Sequence, residues 1–364
     1  MTWLQISGSA RHASPVTRHG LEAGATLVEL MFGMTIALVL VGAGYTVMNT
    51  SQRAATTNDQ TAEMQENAMI AMELVARDLK MAGFGVSGAV GNCNNAIVPL
   101  DNVAGGTDIG PDQISLVVPT LLSTLASQPS SPVTAVTLQS GAVAAMSPEG
   151  FGAGASISIG GAASAVVSTI SGDTLNLSTP IGAPAVFPPG TQVYWLRCIR
   201  YAIERADNTV CGGPAPCLLR GVYATTSAYP ASGVSAANMV PIADGIEDMQ
   251  FAYACDGCNG TVPDGIVDDQ NLSNTFDATD FIPNGTLSTV TVTNPDTIRL
   301  VRVSIVARQA RLETSDPRVI FSAPANFVAE DHNPAQDSGF NLTSYQPFRR
   351  RLLTRTVQVR NVGL

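Results

Sequence analysis

The chain has 364 residues, a formal net charge of −10 and only 13% charged residues. That length exceeds one small domain and suffices for a membrane-spanning helix plus one or two globular units. A chain this acidic is not a general nucleic-acid binder, because contacts to phosphate need cations. Abundant Gly, Ser, Thr, Ala and Val favour strands and loops over helices in most of the sequence.

Residues 1–24 form a polar leader that contains Arg11 and Arg18 and lacks the apolar core of a signal-peptidase I substrate. An almost unbroken apolar stretch follows, and its one charged residue is Glu29. An apolar helix of about 20 residues crosses a bilayer. The two arginines ahead of it favour a cytoplasmic N-terminus and an exported C-terminal body.

The sequence after residue 48 turns polar but keeps a helical spacing of apolar side chains. The apolar residues that recur at steps of three or four are Met64, Ala68, Met72, Val75 and Leu79. Charged residues of this stretch lie mostly on other faces. No proline occurs between Ala25 and Met81, so one helix of about 85 Å is predicted. Gly83 and Gly85 are expected to end it.

Beyond residue 85 the hydrophobic period changes to two, which predicts short strands. The predicted strands are 114–118, 133–138, 165–170, 174–177, 192–203, 218–223, 248–254, 298–307 and 354–359. Residues 171–173 are predicted to join two of them as a hairpin turn. Residues 121–190, rich in small and polar residues, are expected to be irregular β-structure with long loops. Residues 256–297 and 308–347 are expected to be long loops.

All six cysteines lie beyond the leader, and an even number in an exported chain predicts disulfides. The short loop between Cys211 and Cys217 can close on itself. Cys255 and Cys258 leave three interpretations open: a tight bridge, a metal half-site or a redox pair. Zinc would need further ligands, and the chain after the leader has one histidine, His332. Structural disulfides are therefore expected, and the candidates are Cys93, Cys198, Cys211, Cys217, Cys255 and Cys258.

An acidic, glycine-containing loop offers the oxygen ligands that Ca²⁺ prefers. Its candidate ligands are Asp256, Asn259, Asp264, Asp268 and Asp269. The spacing does not fit an EF-hand, and the alternative is an exposed loop whose carboxylates are simply solvated. No other cofactor is expected. No enzymatic activity is expected either, since the chain has no Gly-x-Ser-x-Gly elbow and His332 has no evident nucleophile partner.

The sequence Gly24-Ala25-Thr26-Leu27-Val28-Glu29, followed by a membrane-length helix, resembles the class III signal of type IV prepilins. The resemblance implies that prepilin peptidase cuts after Gly24 and that Ala25 becomes the N-methylated terminus. It also makes Glu29 the assembly carboxylate, because pairing with the cationic terminus of a neighbouring subunit relieves the cost of a carboxylate in the bilayer. The alternative is an ordinary signal anchor in which Glu29 lies near the interface by chance.

The helix end Ala76-Arg77-Asp78-Leu79-Lys80-Met81-Ala82-Gly83-Phe84 resembles that of PilW-type minor pilins. Further segments resemble the same family in the same order, at 201–203 leading to 218–220, at 245–253 and at 298–308. The ending at 349–361 resembles the family's C-terminal strand. The minor pseudopilin J of type II secretion systems shares the long helix and some strand motifs, but it is usually shorter and lacks the triple-arginine ending.

The resemblance implies an α+β, type IV pilin-like fold in which a long N-terminal helix packs on an antiparallel β-sheet head domain. The expected domains are the leader 1–24, the helix 25–82 and a periplasmic β-rich head 83–364. The helix would comprise a transmembrane part, 25–48, and an amphipathic part, 49–82. Within the head, 121–190 is expected to be an insertion.

By the same resemblance, the protein is a non-enzymatic minor pilin that initiates or tips the type IV pilus. The implied partners are prepilin peptidase, the other minor pilins, the major pilin and the inner-membrane platform. It would span the inner membrane once before assembly and reach the cell surface in the pilus. Nucleic acid is not an expected partner, because alternate arginines of 349–351 and Arg355 would face opposite sides of a strand. The alternatives are a type II secretion pseudopilin and a membrane-anchored adhesin or DNA-binding protein.

Overall fold

The computed structural model describes residues 26–101, 103–104, 107–182, 186–223, 239–257, 262–283, 295–312, 320–337 and 339–362. The chain divides into two compact units, residues 1–56 and 57–364. Gly24, Ala25, Cys258 and Asn259 lie outside the described residues.

The N-terminal helix α1 runs without interruption from Leu27 to Met81, 55 residues in all. It contains no proline, and it ends where the sequence predicted. Gly83 adopts a left-handed backbone conformation, with φ of +82°, and a Cβ atom there would lie 2.7 Å from the carbonyl oxygen of Asn361. Glycine is required at this position both for its backbone angle and for the close approach of the C-terminal segment.

The first sheet contains nine described strands, and all their pairings are antiparallel. They are β1 (Ile97–Leu100), β4 (Gln113–Thr124), β5 (Val133–Thr137), β6 (Ser156–Ile159), β7 (Ala163–Ser171), β8 (Thr174–Ile181), β9 (Gln192–Glu204), β10 (Cys217–Tyr223) and β11 (Met239–Asp244). A separate small hairpin is formed by β2 (Val103–Ala104) and β3 (Thr107–Asp108).

The long strand β9 organises the first sheet. One side of it pairs with β4 along its length, from Gln192 opposite Thr124 to Tyr201 opposite Ile114. The other side pairs first with β6 and then with β10. The sheet order is β1-β4-β9-β6-β7-β8-β5. In addition, β10 pairs with the C-terminal part of β9 on one side and with β11 on the other.

Residues 121–190, expected to be irregular, instead contain a regular antiparallel ladder of β5 to β8 and one short helix, α2 (Ala142–Met146). The predicted turn after Ser171 is present, since Ser171 pairs with Thr174. A separate hydrophobic cluster supports this ladder, and it includes Phe151 and Trp195, whose rings meet edge to face at 5.4 Å. The expectation was wrong because β6, Ser156–Ile159, is only four residues long, so its alternation of serine and isoleucine is too short to stand out in the sequence.

The second sheet has the order β13-β12-β14-β15. Its strands are β12 (Ile246–Cys255), β13 (Ile282–Pro283), β14 (Ile298–Arg308) and β15 (Arg350–Gln358). The described parts of the two long segments on either side of β14 contain short 3-10 turns, the two-residue strand β13 and the helix α4 (Leu342–Tyr345). A further short helix, α3 (Asn208–Cys211), precedes β10.

The second half of α1 is buried against both sheets in one hydrophobic core. The five apolar positions predicted from helical spacing are all buried in it: Met64, Ala68, Met72, Val75 and Leu79. They share the core with side chains of the first sheet, such as Leu116, and of the second, such as Phe251 and Val303. Each fully buried side chain of this size stabilises the fold by about 1.5–3 kcal/mol. The predicted α+β class is confirmed, with the second half of a long N-terminal helix packed on antiparallel sheets.

The disulfides expected from the even number of cysteines are present. Cys93 is bonded to Cys198, which joins the segment after α1 to the central strand β9. Cys211 is bonded to Cys217 in the short loop that the sequence indicated. Cys255 is also disulfide-bonded and is therefore not a thiolate ligand for a metal.

Candidate functional site

The first part of α1 exposes its apolar side chains. Leu27, Phe32, Val39 and other large apolar residues up to Met48 are more than half exposed. The helix is long and apolar enough to cross a membrane, and none of its most apolar stretch is buried. The two predicted processing residues lie just outside the described residues, so their roles stay predictions.

Glu29 lies in the first turn of α1 and forms a reciprocal cap with Thr26. The backbone N–H of Glu29 donates to Thr26 Oγ1 at 3.3 Å, and the N–H of Thr26 donates to Glu29 Oε2 at 3.4 Å. This is a capping box, in which two otherwise unpaired helix N–H groups are satisfied by two side chains. Among the described residues, no cationic side chain forms an ion pair with Glu29. The Thr-x-x-Glu pattern was visible in the sequence, and it gives Glu29 a local role that the sequence analysis missed.

A buried polar cluster joins α1 to the first sheet, and we call Asp78, Tyr201 and Arg220 the helix–sheet cluster. The carboxylate of Asp78 is almost fully buried. Its Oδ2 accepts a hydrogen bond from the Tyr201 hydroxyl at 2.5 Å and from Arg220 Nε and Nη2 at 3.1 and 3.0 Å. All three residues come from stretches whose sequences resemble PilW-type pilins: Asp78 from the helix end, and Tyr201 and Arg220 from the two ends of the segment 201–203 leading to 218–220. Those short motifs thus meet in one structural contact.

The electrostatics of the helix–sheet cluster follow from its burial. Burial raises the pKa of the Tyr201 hydroxyl well above its usual value, and the negative charge of Asp78 raises it further. Burial alone would lower the pKa of Arg220, but Asp78 and Tyr201 outweigh it and raise the pKa. Tyr201 is therefore a neutral hydrogen-bond donor and Arg220 a fixed cation beside the buried carboxylate.

The arginines near the C-terminus are engaged inside the chain. Arg350, buried in β15, pairs with Glu247 of β12 through both its Nε and its Nη2 atoms. Arg355 donates to Glu73 of α1 at 2.7 Å. The guanidinium of Arg349 lies 4.5 Å from the centre of the Phe321 ring. These contacts involve most of the arginines near the C-terminus. That these arginines do not bind nucleic acid stays a prediction.

A second buried cluster, the histidine cluster, consists of Asp248, His332 and Asp337. His332 is fully buried, with Nδ1 2.6 Å from Asp248 Oδ2 and Nε2 2.7 Å from Asp337 Oδ1. Burial alone would lower the pKa of His332, but the hydrogen bonds to Asp248 and Asp337 outweigh it and raise the pKa to about 10. An imidazolium with both N–H groups donated to carboxylates holds no basic nitrogen for a nearby nucleophile.

The histidine cluster gives the first testable prediction, a pH-dependent contribution to stability. A pKa raised from 6.5 to about 10 on folding stabilises the protein fully below about pH 6.5, and the stabilisation is lost as the pH rises toward 10. We expect His332→Gln to lower the free energy of unfolding by about 3–5 kcal/mol at pH 6, because the buried carboxylate of Asp248 loses its cation. Urea unfolding of both proteins between pH 6 and pH 10 measures the gap, which should narrow with rising pH. A gap that is constant with pH would contradict a charged His332.

The structure places the predicted calcium ligands around backbone amides. Asp256 accepts hydrogen bonds from the N–H groups of Asp264 and Gly265, at 2.8 and 3.0 Å, and from Arg299 at 3.3 Å. Asp268 Oδ2 accepts from the N–H of Gly257 at 3.0 Å. These contacts order the loop. Calcium binding there stays a prediction.

The side chain of Asp269 contacts a different turn from the one that the other predicted ligands contact. Its two carboxylate oxygens accept from the N–H groups of Ser273 and Asn274, at 3.2 and 2.5 Å. The structure thus brings Asp256, Asp264 and Asp268 into one loop, and Asp269 caps the neighbouring one.

A third polar group, the acidic cluster, consists of Asp101, Asp108 and Asp112 and was missed by the sequence analysis. One oxygen of each carboxylate lies within 4.8 Å of the other two. Burial raises the pKa of Asp108 to about 7. Burial, followed by the charges of Asp101 and Asp108, also raises the pKa of Asp112. The three residues stand in a polar stretch without a ligand motif, so only the folded chain reveals the cluster.

The comparisons with known proteins agree with the sequence resemblance. The family model "Type IV Pilus-assembly protein W", PilW, matches residues 200–361. The resemblance to the PilW family is confirmed. The matched region begins in β9 and includes the whole second sheet, together with Tyr201 and Arg220 of the helix–sheet cluster.

Two proteins of Thermus thermophilus are also similar. The pilin-like protein PilA3 is 32% identical over 109 residues, which cover 29% of this chain and 46% of that protein. The chain thus spans about half the length of this relative. A type IV-like pilin of known structure covers 82% of this chain and 98% of its own, with 9% identity and a TM-score of 0.31. That score is too low to bear on function.

Proposed function

We propose that the protein is a non-enzymatic minor pilin that enters the type IV pilus through its N-terminal helix and acts in starting the fibre or at its tip. The observation that carries the proposal is α1. Its first part exposes an apolar, membrane-length surface with Glu29 as the only charge, and its second part is built into a core shared with the region that matches PilW.

The exposed part of α1 offers a surface for other pilin helices. A Cβ atom added at Gly33, Gly42 or Gly44 would meet nothing within 4 Å, so the helix backbone is open at these three positions. Small residues let helices in a membrane approach closely, where van der Waals packing and interhelical hydrogen bonds hold them together. The partners on this surface would be the major pilin and the other minor pilins.

The proposed route of the protein follows from the same helix. The chain would first span the inner membrane once, with its β-rich part in the periplasm, and prepilin peptidase would remove the leader after Gly24. The assembly platform of the inner membrane would then transfer the mature helix from the lipid into the fibre. The protein would end at the cell surface as part of the pilus.

The absence of enzymatic activity is part of the proposal. A pocket of about 250 Å³ lies beside the histidine cluster, and its lining includes Arg205, Glu247 and Arg350. Arg350 is paired with Glu247, and Arg205 is 2.9 Å from an oxygen of Asp337. Charges neutralised inside the chain, beside a histidine whose two nitrogens are held by carboxylates, support a structural role for this pocket.

The second prediction concerns processing. We expect Gly24→Val to leave the precursor uncut, because a peptidase that cuts between Gly24 and Ala25 needs a small side chain at that position. Mass spectrometry of the protein purified from membranes measures the N-terminus. Gly20→Val, a matched change four residues upstream, should be cut normally. Normal cutting of Gly24→Val would contradict the proposed processing site.

Two measurements test the proposed function as a whole. N-terminal sequencing of the wild-type protein should begin at Ala25, and a deletion strain should lose most of its surface pili. A secretion pseudopilin would instead leave piliation normal and block export of secreted enzymes. An anchored adhesin or DNA-binding protein would leave the pilus count unchanged and would stay in the inner membrane. Either of these results would overturn the proposal.

A further inference from the structure

The acidic cluster lies alongside β12 and is fixed there by the backbone. Asp112 donates its N–H to the carbonyl oxygen of Met249 at 2.9 Å, and its Oδ2 accepts from the N–H of Phe251 at 3.0 Å. Asp108 Oδ1 accepts from the N–H of Gly110 at 3.1 Å. Each of these two carboxylates thus has one oxygen held in place by an amide.

In the described part of the chain, the second oxygen of each of these two carboxylates has no hydrogen-bond partner. Asp108 and Asp112 are 2% and 1% exposed. Among the described residues, neither Asp108 Oδ2 nor Asp112 Oδ1 meets a donor. A buried carboxylate oxygen left without a partner is costly, so a native chain normally satisfies it with a donor or a cation.

A third buried group near the cluster is also unsatisfied. Tyr253 lies on β12 two residues after Phe251, is fully buried, and its hydroxyl has no partner in the described part of the chain. The negative charges of Asp112 and Asp101 act on this hydroxyl. Tyr253 belongs to a different segment from the three carboxylates. Its unpaired hydroxyl is therefore independent evidence that a polar or charged ligand binds beside the acidic cluster.

The spacing of the cluster matches a single ion. Oxygens that share one Ca²⁺ stand at most about 5 Å apart, because each Ca–O distance is about 2.3–2.6 Å. The three carboxylates of the acidic cluster meet this condition, since their closest oxygens lie within 4.8 Å of one another.

We propose that Asp101, Asp108 and Asp112 form a calcium-binding site beside β12 and that Tyr253 completes its polar surroundings. The site goes beyond the pilin function proposed above, because it concerns the β-rich part of the chain alone. The all-oxygen donor set favours Ca²⁺ over zinc, whose structural sites are built from cysteine sulfur and histidine nitrogen. Burial favours Ca²⁺ over Mg²⁺, which usually keeps several of its waters.

The test is calorimetric titration of the full chain in detergent with CaCl₂, after removal of metal by a chelator. We expect saturable heat with a Kd below about 1 mM. At a Ca²⁺ concentration about 100 times the Kd, the Tm should rise by about 5 °C. No heat and no rise in Tm would overturn the proposal and leave a proton shared among the carboxylates as the alternative. An equal response to MgCl₂ would overturn the choice of calcium.

Matched variants locate the ion. Asp108→Asn and Asp112→Asn should each weaken calcium binding at least tenfold. In chelator they should have a Tm equal to or above that of the wild type, because each replaces a carboxyl group whose charged form burial disfavours. This second measurement separates a lost ligand from a failure to fold. Asp264→Asn, in the other acidic loop, should bind as the wild type does. The proposed location would be overturned if Asp264→Asn abolished calcium binding while Asp108→Asn and Asp112→Asn left it intact.

A luminescent probe tests the position of Tyr253. Tb³⁺ takes calcium sites and emits when it is excited through a nearby tyrosine. We expect emission from the wild type that CaCl₂ displaces, and at least a threefold loss of that emission in Tyr253→Phe while calcium affinity stays within threefold. Unchanged emission from Tyr253→Phe would place the ion elsewhere and overturn the assignment.

Discussion

Asp78→Ala is expected to lower the free energy of unfolding by about 3–5 kcal/mol. The change leaves Arg220 without its counter-ion and the buried Tyr201 hydroxyl without its strongest acceptor. Removing one partner of a buried pair costs more than the pair itself contributes, because the other charge stays buried and unpaired. Urea unfolding followed by the fluorescence of Trp195, which is buried in β9, measures the loss.

Two control variants separate the cluster from other effects on α1. Asp78→Asn keeps the size of the side chain and an acceptor oxygen, so it should lose less than Asp78→Ala. Glu73→Ala removes an ion pair from the same helix to Arg355, but that carboxylate is 69% exposed. Exposed pairs contribute little, so the urea midpoint of Glu73→Ala should not change measurably. A loss for Asp78→Ala no larger than for Glu73→Ala would show that the helix–sheet cluster does not hold α1 in place.

The sequence predicted most of the fold because its strongest signals are local. Helical spacing identified the buried face of α1, and Gly83 marked its end. The long apolar strands β9, β12 and β14 were each predicted within a few residues of their ends. The sequence did not predict β6 or β11, which are four and six residues long. Strands this short are stabilised by the strands beside them rather than by their own hydrophobic pattern.

The hydrophobic periodicity of the sequence could not predict the buried polar clusters. Asp78 was grouped with the charged residues of α1 that lie mostly on exposed faces, yet it is buried between Val75 and Leu79. Its partners come from strands more than a hundred residues away, and helical spacing carries no information about them. The acidic cluster also depends on a distant strand. Asp108 belongs to β3, Asp101 and Asp112 lie on either side of the β2–β3 hairpin, and Asp112 accepts a hydrogen bond from Phe251 of β12, 139 residues away. Distant pairing, rather than local propensity, decides which charges a fold can bury.

Glu29→Ala and Glu29→Gln are expected to be processed normally and to reach the pilus at least about tenfold less often than the wild type. The physical reason is that a carboxylate near one end of a membrane helix is costly until it meets a cation, and the mature terminus of a neighbouring subunit supplies one in the fibre. Immunoblots of sheared pili and of membranes measure the fraction incorporated.

The capping box gives Glu29 a competing local role, and one further variant separates the two. Thr26→Ala removes the cap and keeps the charge, whereas Glu29→Gln removes the charge and keeps a side chain that completes a capping box. If the charge governs assembly, Thr26→Ala enters pili at nearly the wild-type level while Glu29→Gln fails. If Thr26→Ala fails and Glu29→Gln assembles, Glu29 acts by starting the helix, and the charge-pairing role is wrong. The hydrogen bonds between Thr26 and Glu29 make this the decisive comparison, because an alanine at position 29 removes cap and charge together.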